Sequence, residues 1–228
     1  MTLSNQISHD ERHRALVDRL ASNLAPKRPL WPVRRRLVLW LAIELAVLLS
    51  AVLKTPRDLS VRIESPWYVL EILFFATAAV IIAAMALRAA IPGRETHRSQ
   101  TTLAIVLTVS GIAMLFTTPL ATNVTLSQFI RIGTGCAWAT LAKATLPWIA
   151  LWWAVRRGLP GDGRVVGAMV GAAAMLFSFA VMRIDCPLDE PLHLMTWHLM
   201  PVVLVTLLSA IAGAFWLRFP LRRTSIAS

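Results

Sequence analysis

"VVGAMVGAAAMLFSFAV", Val165 to Val181, runs for 17 residues without a charged side chain. As a helix it would rise about 25 Å, enough to cross a bilayer core when nearly upright. Similar apolar stretches cover Leu37–Leu53, about Pro66–Ala90, Leu103–Leu120, Gly133–Ala154 and about Leu199–Leu217. The runs are unbroken rather than alternating, which excludes a barrel and selects helices. The fold class expected is therefore an all-α integral membrane protein with six transmembrane helices. Composition agrees: the chain is 57% hydrophobic and 15% charged, against roughly 25% charged for a soluble domain.

The net charge of +11 would suit nucleic acid if one compact domain carried it. Instead the basic residues flank the apolar runs, as membrane topology requires, so no direct nucleic-acid partner is expected. Seventeen Lys and Arg fall in the leader, in the connections after the second and fourth runs, and in the C-terminal tail; five fall in the other connections. The positive-inside rule then places both termini in the cytoplasm. Three divisions follow: a leader over 1–36, a membrane domain over 37–217 and a short cytoplasmic tail over 218–228. No signal peptide is expected ahead of the first run. No internal repeat of the kind many transporters carry is visible.

The leader contains "HDERHRALVDRLASNLAPKRPLWPVRRR", His9 to Arg36. Leu16, Leu20 and Leu24 recur every four residues and Val17 joins their stripe, which predicts an amphipathic helix of about 15 residues. Asp10 and Glu11 suit its start, and Pro26 ends it. So short a helix is marginal alone and needs a surface, either anionic lipid or a groove on a partner protein. Arg34, Arg35 and Arg36 read as the membrane-edge anchor of the first span.

Glu44, Glu71 and Lys143 fall inside spans, where charge is costly unless paired. Glu44 lies roughly 10 Å from the inner edge and Lys143 roughly 15 Å from the outer one, so a Glu44–Lys143 pair is expected, with separate snorkelling as the alternative. Glu71 is expected to reach water at the outer edge.

"RIDCPLDEPLHLMTWH", Arg183 to His198, joins the last two runs and faces outward in this topology. It carries Cys186, the only partner for Cys136, whose place near the start of the fourth span puts both thiols at the outer boundary. The reading preferred is a redox-sensing pair; two independent buried thiols are the alternative. A metal site of Cys186, His193 and His198, with Cys136 or Asp189 as the fourth ligand, ranks lower, because C-x6-H and H-x4-H match no strict zinc pattern. Asp185, Asp189, His193 and His198 are candidates for the sensing loop. There is no Cys-x-x-Cys, no nucleophile–base pair of recognisable type and no phosphate-binding loop, so neither catalysis nor a cofactor is expected.

The ordered pieces "LVDRLASNLAP" (Leu16–Pro26), "RDL" (Arg57–Leu59), "PGR" (Pro92–Arg94), "GC" (Gly135–Cys136) and "DCPLDEPLHLMTWHLMP" (Asp185–Pro201) resemble the NrsF family, negative regulator of sigma F, over almost the whole chain. The resemblance implies an anti-sigma factor in the bacterial inner membrane that holds an extracytoplasmic-function sigma factor until oxidative or related stress. It matches Cys136 and Cys186 to the family's signal-responsive cysteines, and it implies the leader as the sigma-binding region. The alternative class is a membrane redox enzyme or transporter that uses the outer Cys/His cluster for electrons, metal or substrate.

Overall fold

The structure is a computed structural model that describes residues 14–19, 22, 30–53, 59–91, 98–115, 125–158, 160–186 and 188–217. The chain divides after Leu30. In the first unit residues 14–19 are helical, with Leu16 and Val17 exposed. Leu20 and Leu24 lie outside the described residues, as does the tail from 218.

The second unit is helical throughout its described residues, with no strand. Its helices are α1 (Val33–Val52), α2 (Leu59–Arg62), α3 (Pro66–Ala89), α4 (Arg98–Leu115), α5 (Leu126–Arg156), α6 (Gly163–Asp185), α7 (Pro191–His193) and α8 (Met200–Trp216). A π-helical segment over Leu194–Leu199 joins the last two. Local sequence sets several of the boundaries. Thr125 and Gln128 form a reciprocal capping box at the start of α5, and the Asp162 carboxylate accepts from the N–H groups of Arg164 and Val165 at the start of α6, which satisfies otherwise orphaned donors.

The Gly- and Ala-rich α6 is the buried axis, packed against α1, α3, α5 and α8. Its closest neighbour is α8. A Cβ on Gly167 would lie 2.2 Å from the Ser209 carbonyl oxygen, and one on Gly213 would lie 2.1 Å from that of Gly163. Small residues here let the backbones approach, as in helix pairs within membranes.

The two ends of the bundle differ chemically. At one end Arg36, at the start of α1, donates to the Ala154 carbonyl in the last turn of α5 and to that of Leu87 near the end of α3. Arg36 is buried, so it is a cap on two helix C-termini and not the edge anchor its neighbours suggested. At the opposite end the first turns of α3 meet the last turn of α6, where the Tyr68 hydroxyl donates to the Arg183 carbonyl.

Three helical stretches are long and apolar enough to cross a membrane: Pro66–Ala89, Gly163–Asp185 and Pro191–Trp216. Six were expected. The described parts of the other three apolar stretches lie mainly on helices too, but their composition is diluted. Arg34, Arg35, Arg36 and Glu44 sit on α1, Arg131, Lys143 and Arg156 on α5, and α4 carries only a shorter apolar helical stretch, Thr102–Gly111.

Candidate functional site

Four soft-ligand side chains converge at the end of the bundle remote from Arg36. Cys136 comes from α5, three turns in. Cys186 is the C-cap of α6, its N–H donating to the Met182 carbonyl. His193 closes α7 and His198 belongs to the π segment. Cys136 Sγ lies 3.6 Å from Cys186 Sγ. Cys186 Sγ is 3.5 Å from His193 Nε2, which is 3.3 Å from His198 Nε2. All four donor atoms fall within 4.8 Å of one another. Cys186, His193 and His198 are buried, and Cys136 is half-buried.

The π turn explains why spacing alone missed this. In an α-helix, residues five apart are displaced by about 140° around the axis. The i→i+5 bonding of a π turn widens the turn and brings such residues to one side. His193 and His198 therefore share a face that H-x4-H on an α-helix would not provide.

Neighbours orient the ligands. The Thr140 hydroxyl donates to the Cys136 carbonyl at 2.8 Å, so its oxygen is left to accept from His198 Nδ1 at 3.3 Å. That fixes the tautomer with the proton on Nδ1 and a lone pair on Nε2, facing the cluster. Ser178 in turn donates to the Thr140 carbonyl. Thr140 was not singled out by sequence, although it stands one helical turn from Cys136. Aromatic rings enclose the imidazoles: Phe129 is edge-on to His193, and Phe179 to His198. Trp197 packs so closely on Gly133 that a Cβ there would fall 2.1 Å from the indole nitrogen.

A shared hydrogen bond with Cys136, reinforced by His193 and His198, holds the Cys186 thiol below its usual value against the opposing effect of burial.

The acidic candidates lie beside the cluster and are engaged elsewhere. Asp185 accepts from Lys143 at 2.7 Å. Asp189 is held by Arg62 and by Arg183, each at 2.5 Å. Arg183 also pairs with Glu71, and Arg62 donates to the Cys186 carbonyl at 2.8 Å. Two expectations are thereby corrected. Lys143 pairs with Asp185 and not with Glu44, whose carboxylate oxygens are buried without a hydrogen-bond partner among the described residues. Glu71 does not reach water; it is buried against Arg183. Depth along a helix does not say which way a side chain faces.

Fold and cluster together define a class: an all-helical bundle, with three helices of membrane-crossing length and apolarity, that buries a two-cysteine, two-histidine centre at one end. The family described as negative regulator of sigma F, NrsF, matches residues 20–219, and the chain belongs to that family. Membership makes it a negative regulator of a sigma factor, with a sigma factor as its partner. No curated protein and no solved structure matches the chain.

Proposed function

We propose that the protein is a membrane-embedded anti-sigma factor that holds an extracytoplasmic-function sigma factor through its leader and releases it when Cys136 and Cys186 react. The observation that carries this reading is the family match over residues 20–219, which joins the end of the leader to both cysteines. It acts by sequestration, with no catalytic step and no contact with nucleic acid.

In this reading six helices cross the bacterial inner membrane, with both termini in the cytoplasm. The charges that dilute α5 are not all exposed to lipid, because Lys143 is neutralised by Asp185. The outward faces of α1 and α5 carry exposed Val38, Leu45, Leu49, Leu146 and Ile149, which suit a lipid surround. The end marked by Arg36, Arg156 and Arg157 is the arginine-rich one, and the cysteine end lies opposite. The cysteines then face the periplasm, an oxidising compartment.

The exposed Leu16 and Val17 are the described part of the leader's apolar stripe, the surface offered to the sigma factor. A hundredfold loss of affinity requires about 2.7 kcal/mol of difference between the two states of the anti-sigma factor. One disulfide is of that order. In forming it the two thiols would give up two electrons to a periplasmic oxidant and release two protons.

The test is co-purification of the full-length chain with sigma factors from its own cell. Wild type should bring down one, and Leu16→Glu/Val17→Glu should not, while staying in the membrane. Cys136→Ser/Cys186→Ser should still hold the sigma factor but fail to release it under oxidant. Full induction in that double variant would rule out the thiol mechanism.

A further inference from the structure

We propose that Cys136, Cys186, His193 and His198 form a four-coordinate binding site for a soft d10 metal cation of the zinc or cuprous type. This deepens the sensing site proposed above by naming a ligand for it, and it reverses the order that residue spacing suggested.

A tetrahedral ion with bonds of about 2.3 Å to sulfur and about 2.05 Å to nitrogen has edges of about 3.8 Å between sulfurs, 3.5 Å between sulfur and nitrogen and 3.3 Å between nitrogens. The three close contacts of the cluster are 3.6, 3.5 and 3.3 Å in the same order. The remaining separations stay within 4.8 Å.

The Thr140 contact leaves His198 Nε2 as a lone pair, and it faces His193 Nε2 across 3.3 Å. If His193 carries its proton on Nδ1, two lone pairs oppose each other, and Nδ1 is itself buried without a hydrogen-bond partner among the described residues. If the proton sits on Nε2, one N–H must serve both His198 and Cys186. A cation between the four atoms satisfies both lone pairs and the sulfurs together. Two imidazoles and two sulfurs select a soft or borderline ion over calcium or magnesium, which require oxygen.

The nearby carboxylates cannot join as ligands, because Lys143, Arg62 and Arg183 already hold them. Phe129, Phe179 and Trp197 keep the site apolar, and Cys136 is the one ligand with access to solvent. A bound cation and a disulfide would use the same two sulfurs, so they exclude each other.

The full-length protein, purified in detergent and reduced, is titrated with zinc against a chromophoric chelator. One zinc per chain is expected, bound at about micromolar or tighter. His193→Gln, His198→Gln and each Cys→Ser change should weaken binding at least about a hundredfold. Thr140→Val, which touches no metal, should weaken it by about 10–100-fold. If a ligand variant fails to fold, cobalt(II) bound to wild type reports the ligands directly through thiolate charge-transfer and tetrahedral d–d bands. Wild type that binds no zinc, or cobalt bound without a thiolate band, overturns the proposal. So does binding that survives removal of both cysteines. No step uses the sigma factor, so a failure here is distinct from failure of sigma capture, which tests the anti-sigma reading alone.

Discussion

Arg183 grips Glu71 at two points, Nε to Oε1 at 2.8 Å and Nη2 to Oε2 at 3.1 Å, with both side chains buried. The same guanidinium reaches Asp189 in the connection that follows Cys186. One arginine thus ties the last turn of α6 to α3 and to the loop beside the cysteine. Planar, bidentate pairing of this kind suits arginine and not lysine.

Removing one member of this pair leaves the other charged and buried. Arg183→Gln is expected to destabilise the bundle by about 3–5 kcal/mol. The double change Glu71→Gln/Arg183→Gln should cost less than the two single changes added together, because neither leaves a lone charge. Chemical unfolding in detergent micelles measures both. A wild-type unfolding midpoint for Arg183→Gln would mean that the pair contributes nothing.

Asp189 is partly exposed, so its contacts with Arg62 and Arg183 are weakened by water. Asp189→Ala should loosen the loop and leave the bundle folded. A loss of about 1.4 kcal/mol from loop closure corresponds to a tenfold faster alkylation of buried Cys186. Mass spectrometry of timed alkylation reads this directly. An unchanged Cys186 rate would show that Asp189 does not hold the loop closed.

Arg36 supplies hydrogen bonds to two carbonyls that the ends of α3 and α5 leave without partners. Lysine cannot span both positions with a planar fork. Arg36→Lys should lower stability by about 1–3 kcal/mol, and Arg36→Ala by at least as much. The thermal midpoint in micelles is the measurement, and equal midpoints for wild type and Arg36→Ala would count against the capping role.

Gly213 faces Gly163 and Gly167 across the close crossing of α6 and α8. Gly213→Leu should push α6 and α8 apart, with an overpacking cost of at least about 1–3 kcal/mol. Because α8 continues from the π segment, the change should also displace His198. Size-exclusion profiles and zinc affinity should both deteriorate; a monodisperse variant with intact zinc binding would contradict the close-packed crossing.

Much of this architecture was legible from residue order. Unbroken apolar runs gave the helices, and the arginine distribution separated the two ends that Arg36 and Arg183 now mark. Cys136 and Cys186 were placed at the same end because each lies near the boundary of a long run. Lys143 was harder. Its depth suggested Glu44, but a helix has a direction around its axis as well as along it, and Asp185 stands on the side that Lys143 faces. The same limit hid the burial of Glu71 and the double cap made by Arg36.

Sequence by itself determined that this chain is helical and that both thiols gather at one end. Those properties follow from periodicity and from the cost of leaving apolar surface or charge in the wrong solvent, and each is local. Only the tertiary structure decided that His193 and His198 join the thiols, because that depends on a π turn that departs from the regular 3.6-residue repeat. It also decided that Thr140 orients one imidazole and that arginines withdraw the carboxylates from the cluster. Such contacts are set by how several helices rotate against one another, and no single helix carries that information.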